Sequence, residues 1–254
     1  MDNLENGIKY LEKYNNVKVY PNLQRFNAFR ALMNITMPDK LDDNFFDIQD
    51  KIIQDEYKNK EIINVDDLSP IKDNICLCQN DITLLKADVI VNACNSELLG
   101  CFQPLHKCID NAIHSYAGLQ VRKDLLEIMK KQDYKEPNGK AKITKGYNLP
   151  AKYIIHTVGP IVSDKVTKQN EIDLYNCYQS SLKLANEYNL KNIVFCSIST
   201  GVYGYPIEKA SIIALKSIKD YFNNNANSSI KKVVIDVFSR SDYDEYKRAI
   251  SKIN

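Results

Sequence analysis

Apolar positions early in the chain recur at helical steps. Between residues 22 and 35, Leu23, Phe26, Phe29, Leu32 and Met33 fall three or four apart, which lines them along one helix face. A second helix is expected over about 43–58, with Pro38 and the acidic Asp39, Asp42 and Asp43 marking the break between the two. Residues 1 to about 65 therefore read as a helical segment that caps the following domain and buries part of its surface. No residue in it suggests chemistry. From residue 74 the pattern changes. Short β-rich apolar runs at 74–78, 88–93, 152–158, 192–197 and 231–238 alternate with amphipathic stretches at 109–130, 173–189, 207–222 and 243–250. Several runs are too apolar for strands with one wet face, so they predict a buried sheet. The alternation predicts a three-layer α/β fold with a mainly parallel sheet, whose ligands bind beyond the carboxyl ends of the strands. The Asn/Ser-rich stretch 223–229 reads as a surface loop.

Composition narrows the classes. The 254 residues suffice for one large domain or a domain with a smaller appendage. No apolar run approaches the ~20 residues of a membrane span, and the start shows no basic region followed by an apolar one, so the expected location is cytoplasmic. Lys and Arg exceed Asp and Glu by 34 to 32, without a basic block, which gives nucleic acid no electrostatic foothold. Seven cysteines form an odd set without repeated spacing, as expected of thiols or metal ligands rather than disulfides. Cys76, Cys78, Cys177 and Cys196 read as small buried hydrophobes, and His156, inside an apolar run, as structural.

The chemistry concentrates in three places. Cys101, His106 and Cys108 lie within eight residues, directly before the helix that opens at Ile109. Two thiols and an imidazole at that spacing can wrap one zinc ion and leave its fourth position open, the arrangement of catalytic rather than structural zinc. A fourth ligand such as Cys94 or His114 would instead close the site. Asp110 falls two residues past Cys108, close to any bound metal, where it would orient a water, accept its proton or bind a ribose hydroxyl; otherwise it is a first-turn acid favoured by the helix dipole. His114 shares its face and reads as a satisfied core histidine. After the second run, Asn92 and Asn95 offer amides suited to sugar hydroxyls, although Asn and Ser also simply favour turns. Finally, residues 197–206 (Ser-Ile-Ser-Thr-Gly-Val-Tyr-Gly-Tyr-Pro) link a strand to a helix, where small residues let backbone N–H groups converge on a diphosphate. No Walker or dinucleotide fingerprint is present. Tyr203 would lie over a sugar or simply pack.

These segments resemble the signatures of macrodomains: Asp81-Ile82-Thr83, Val91-Asn92-Ala93-Cys94-Asn95-Ser96, His156-Thr157-Val158-Gly159-Pro160 and residues 198–206 come in the family's order and at fitting distances. The loop from Leu98 to Asn111 is similar to that of the zinc-dependent microbial branch, often paired with a sirtuin-type ADP-ribosyltransferase. The segment Phe29-Arg30-Ala31-Leu32-Met33-Asn34-Ile35 looks like that branch's N-terminal extension. Two positions depart from the pattern: Asn80 stands where glycine is usual, and Cys94 where alanine is.

The resemblance implies a three-layer α/β/α macrodomain with a mixed, mainly parallel sheet over 71–254 and a helical extension over 1–70. It implies that Asp81 hydrogen-bonds the adenine amine, with the Ile82 backbone near the base and Phe238, at the end of the last strand, packed against it. Ser199, Thr200, Gly201, Val202 and Tyr203 would cradle the diphosphate and distal ribose, Asn92 and Asn95 would hold that ribose, and Cys101, His106 and Cys108 would bind zinc beside Asp110. The implied activity is removal of mono-ADP-ribose from protein, through an ester to Asp or Glu. The alternatives are an ADP-ribose reader without catalysis and an esterase acting on a small acyl ester of ADP-ribose.

Overall fold

The structure, a computed structural model, describes residues 2–19 and 22–252. Met1, Ile253 and Asn254, at the outer ends of the two expected segments, lie outside the described residues, as do Tyr20 and Pro21. Three helices come first: α1 (Asn3–Asn15), α2 (Arg25–Ile35) and α3 (Asp43–Tyr57). Asp2 and Asp42 start α1 and α3 by accepting the N–H groups of Leu4 and Phe45, donors that a helix end otherwise leaves unpaired. Leu11, Phe29, Phe45 and Ile53 are fully buried, so the helical stripes face inward.

The remaining elements are β1 (Ile63–Asn64), β2 (Ile75–Cys78), β3 (Leu85–Lys86), β4 (Val89–Cys94), α4 (Ile109–Ala117), α5 (Leu119–Gln132), β5 (Ala141–Lys145), β6 (Tyr153–Val158), α6 (Lys168–Glu187), β7 (Asn192–Cys196), α7 (Ile207–Asn224), β8 (Lys232–Asp236) and α8 (Arg240–Lys252). Six strands form one sheet in the order β2-β8-β7-β4-β6-β5, parallel throughout except for antiparallel β5. Helices α6, α7 and α8 pack in series, while α4 and α5 carry the N-terminal helices. This is the expected α/β/α arrangement. Ile90 and Val194 of the central strands are wholly buried, as sheets covered on both faces require.

The structure corrects several expectations. The stretch 109–130 is two helices, broken at Gly118, whose φ of 98° and ψ of 169° are open essentially to glycine alone. The apolar period runs across the break and hides it. Strand β5 was not expected, because its polar alternation suits a half-wet edge; nor was the short β1–β3 pair. Helix α6 starts at Lys168 rather than 173, where Thr167 and Asn170 form a reciprocal capping box. The last strand ends at Asp236, which leaves Phe238 in the following turn.

Arg122 of α5 is 1% exposed, yet it is not an error of patterning. Its Nη1 donates to the carbonyls of Met33, Asn34 and Thr36 at 3.0, 3.0 and 2.6 Å, closing the end of α2. Burial pulls the guanidinium down to about 10, against the opposing influence of Asp110 and Cys101.

From β4 the chain crosses outward to β5 and β6, then returns past β4 to β7. That reversal opens a crevice beyond the carboxyl ends of β4, β6 and β7.

Candidate functional site

Apart from the N-terminal helical segment, the stretches singled out in the sequence lie at or just beyond the carboxyl ends of strands. Asp81 follows β2, Asn95 follows β4, Gly159 follows β6, residues 197–205 follow β7 and Phe238 follows β8. Parallel pairing puts these ends on one edge of the sheet.

The loop between β4 and α4 brings Cys101, His106 and Cys108 together, their ligand atoms all within 4.8 Å of one another. Cys101 Sγ lies 3.6 Å from His106 Nδ1. All three side chains are half-buried. The loop reaches this shape through two left-handed residues, Leu98 (φ 61°) and Leu105 (φ 57°), and through Gly100 (φ 84°). A Cβ on Gly100 would stand 2.9 Å from the His114 ring, so the loop lies directly on that imidazole. Cys108 caps α4, its Sγ accepting the Asn111 N–H at 3.4 Å. Burial pushes its thiol up to about 12. The donor set suits zinc, which takes thiolate and imidazole ligands. Among the described residues the cluster stops at three side chains. Cys94 points its thiol at the Thr157 carbonyl instead (3.2 Å), and His114 stands outside the set.

Beside this loop, Asp110 is buried, and Asn92 donates to its Oδ1 at 2.8 Å. Burial raises the Asp110 carboxyl to about 6, while the Asn92 hydrogen bond and the Arg122 charge pull the other way. Asn92 Nδ2 also approaches His156 Nδ1 at 3.2 Å, and His156 Nε2 meets Thr144 Oγ1 at 2.9 Å. Nδ1 must therefore accept and Nε2 donate. Burial holds His156 down at about 3, so it is neutral and structural, as expected. His114 differs from expectation. Both its ring nitrogens are buried without a hydrogen-bond partner. Its Nε2 lies 3.5 Å from Asp110 Oδ1, but burial pushes its value well down, so the neutral ring makes no ion pair there. Asn92 Oδ1 is a further buried polar atom without a partner. Asn95 commits its amide locally: Oδ1 accepts from Glu97 N at 3.0 Å and Nδ2 donates to Gly100 O at 3.2 Å, fixing the turn that launches the loop of Cys101, His106 and Cys108.

The loop after β7 is held from several sides. Thr200 Oγ1 donates to Ser197 O at 2.9 Å, Tyr205 N to Ser199 O at 2.9 Å, and Val162 N to Tyr203 O at 2.8 Å. Ser199 adopts φ 66°, and its hydroxyl is buried without a partner. Gly159 packs so tightly against it that a Cβ would sit 2.1 Å from Ser199 Oγ. Nothing crowds Gly201, and Val202 is exposed. Burial, and after it the influence of Cys94, Asp110 and Cys108, raises the Tyr203 phenol above its ordinary value.

At the far end, Asp81 Oδ1 accepts from Thr83 N (2.9 Å) and Thr83 Oγ1 (2.6 Å), starting a short helical turn over Ile82–Leu84. Ile82 is buried. Phe238 is 93% exposed, an aromatic face with nothing packed over it. Asn80, the departure from glycine, is held by its N–H, which donates at 2.8 Å to the buried Asp236. The motifs did not reveal Asp236 or Arg122. Each acts across the fold, and the only local signal is a charge inside an otherwise apolar stripe.

The Macro domain family profile matches residues 91–214. A protein-ADP-ribose hydrolase of Staphylococcus aureus is 43% identical over 256 aligned positions, spanning 99% of this chain and 95% of its own. One from Treponema medium is 43% identical over 226, spanning 87% and 86%. Among solved structures, the Oceanobacillus iheyensis macrodomain with ADP is 38% identical and covers 72% of this chain and 94% of its own, with a TM-score of 0.64. The Trypanosoma brucei macrodomain in complex with ADP-ribose is 27% identical and covers 87% and 94%, with a TM-score of 0.65. A strand-end crevice with these loops and relatives of this identity along nearly the whole chain lead to one conclusion: the chain belongs to the macrodomain family.

Proposed function

We propose that this macrodomain is a hydrolase that removes mono-ADP-ribose from modified protein side chains, using a zinc ion held by Cys101, His106 and Cys108. The linkage proposed is an ester to Asp or Glu. The observation that carries the reading is the convergence of two thiols and an imidazole beside the Asn92–Asp110 pair. A reader needs the adenine and phosphate loops but has no use for that convergence. The names of the relatives support the same class of reaction.

In this reading Asp81, Ile82 and Phe238 take the adenine. Ser199, Thr200, Gly201, Val202 and Tyr203 hold the diphosphate and distal ribose; close packing against Gly159 sets the loop's position, and the unpartnered Ser199 hydroxyl is left to bond the ligand. Asn92 and Asn95 face the same ribose, Asn95 chiefly by shaping the turn. Zinc held by Cys101, His106 and Cys108 would supply Lewis acidity or a fixed anchor for substrate. Asn92 keeps Asp110 aimed by their 2.8 Å hydrogen bond. Asp110 orients the attacking water or takes its proton. A water oxygen replaces the side-chain oxygen on the distal ribose, yielding free ADP-ribose and the restored carboxyl. Holding the diphosphate fixes that ribose in place, which removes much of the entropic barrier. Cytoplasmic action, opposite a sirtuin-type ADP-ribosyltransferase, completes the proposal; no helix among the described residues is long and apolar enough to cross a membrane.

The test is incubation with a protein mono-ADP-ribosylated on Asp or Glu, with free ADP-ribose quantified over time. Catalytic release supports the hydrolase. Binding of ADP-ribose without release from any linkage makes the protein a reader, and turnover confined to small acyl esters makes it an esterase.

A further inference from the structure

The metal loop has no regular secondary structure of its own, yet its three ligand side chains converge. What holds it comes from outside the motif. Asn34, in the last turn of α2, is 1% exposed. Its Oδ1 accepts the Leu105 N–H at 2.9 Å, across 71 residues of sequence. Its Nδ2 donates to Ser115 Oγ on α4 at 3.1 Å. Leu105 immediately precedes His106 and holds φ 57°, a left-handed conformation that a non-glycine residue adopts only against a steric penalty. The next loop hydrogen bond, His106 N to Gln103 O at 3.2 Å, closes the turn that Leu105 makes. Asn34 is itself fixed, because Arg122 grips its carbonyl and those of Met33 and Thr36. The Arg122 guanidinium also lies 4.4 Å from the centre of the Phe102 ring, next to Cys101. Thus α2 and α5 together meet the loop beside two of its three ligands.

We infer that Asn34 is a positioning residue for the metal site: the N-terminal helical segment sets the loop geometry that brings His106 to the two cysteines. The inference rests on the zinc reading above and extends it to a residue far outside the ligand motif. A buried asparagine whose two ends reach two different elements resembles the outer hydrogen-bonding partners that orient ligands in metal sites, whose loss weakens metal affinity by about 10- to 100-fold.

The full-length chain should be tested as Asn34→Ala and, in parallel, as Ser115→Ala. Both variants break the Asn34–Ser115 hydrogen bond between α2 and α4, but only Asn34→Ala releases Leu105. Zinc affinity is read by competition with a chelator of known strength, and exchange of the Leu105 amide is read by hydrogen–deuterium exchange on the metal-free protein. The expected result is at least about tenfold weaker zinc binding and faster Leu105 exchange in Asn34→Ala, with Ser115→Ala within about threefold of wild type. Retained ADP-ribose binding identifies a folded variant. Equal losses of zinc affinity in the two variants, or none in Asn34→Ala, would overturn the inference. Failure of the zinc reading looks different: the wild-type chain then takes up no zinc, while its Leu105 amide is still protected.

Discussion

Asn92, Asp110 and His156 depend on one another. Asn92 has one amide nitrogen to share between a carboxylate and an imidazole, so neither partner turns without disturbing the other. Cys101 stands apart from that network and touches His106. Cys101→Ser is therefore expected to abolish release of ADP-ribose and zinc uptake while ADP-ribose binding stays within about tenfold, ~1.4 kcal/mol. Metal analysis and calorimetric titration of the same sample check this, and loss of ADP-ribose binding as well would mean that the loop has collapsed. Asp236 offers a second test. Burial raises its carboxyl from 3.8 to about 7, against the lowering effect of the Asn80 N–H. An acid raised on folding binds its proton more tightly in the native state, so this group makes stability fall as pH rises from about 4 to about 7. Asp236→Asn keeps an acceptor for Asn80 but cannot ionise. Urea unfolding at both ends of that range should show a shallower loss for the variant than for wild type; identical slopes would contradict the assignment. The convergence of Cys101, His106 and Cys108 was legible because it lies within one short loop, where residue types and spacing are read locally. Asn34 and Asp236 were not, since an amide or a carboxylate acquires its role only from a partner more than 70 residues away.

Among the elements, strands announced themselves through burial on both faces, and helices with a strong apolar stripe did the same. The misreadings have physical causes. A six-residue strand such as β4, with Val89, Ile90 and Val91 fully buried, leaves no ambiguity, whereas β5 alternates with lysine and looks like a loop. The α4–α5 junction keeps its apolar period through Gly118, so periodicity alone reads one helix. Gly118→Ala puts a side chain where the backbone region excludes one, and its Cβ would meet the buried Gln49 at 2.5 Å. The expected cost is about 1–3 kcal/mol. Thermal unfolding measures it, and an unchanged or higher midpoint would show that the junction can straighten. The break matters to the site, because it lets α4 present Asp110 while α5 turns Arg122 back to α2.

Across the molecule, a single apolar core joins the N-terminal helices to the sheet. The three-layer arrangement was readable from alternation alone. The order β2-β8-β7-β4-β6-β5 was not, because pairing is decided by packing between distant strands. The same limit applied to the N-terminal segment, which looks like a cover in sequence and in the fold contacts the loop that carries Cys101, His106 and Cys108. The proposed chemistry needs all three layers: β4 and β7 deliver the ribose and phosphate loops, α4 delivers Asp110, and α2 meets the loop that carries the ligands. The measurement to make is ADP-ribose release from a protein modified on Asp or Glu, before chelation, after zinc is removed and after zinc is restored. Release should stop on chelation and return with zinc, with ADP-ribose binding intact throughout. Release that continues undiminished in zinc-free protein would contradict a catalytic role for the Cys101–His106–Cys108 site.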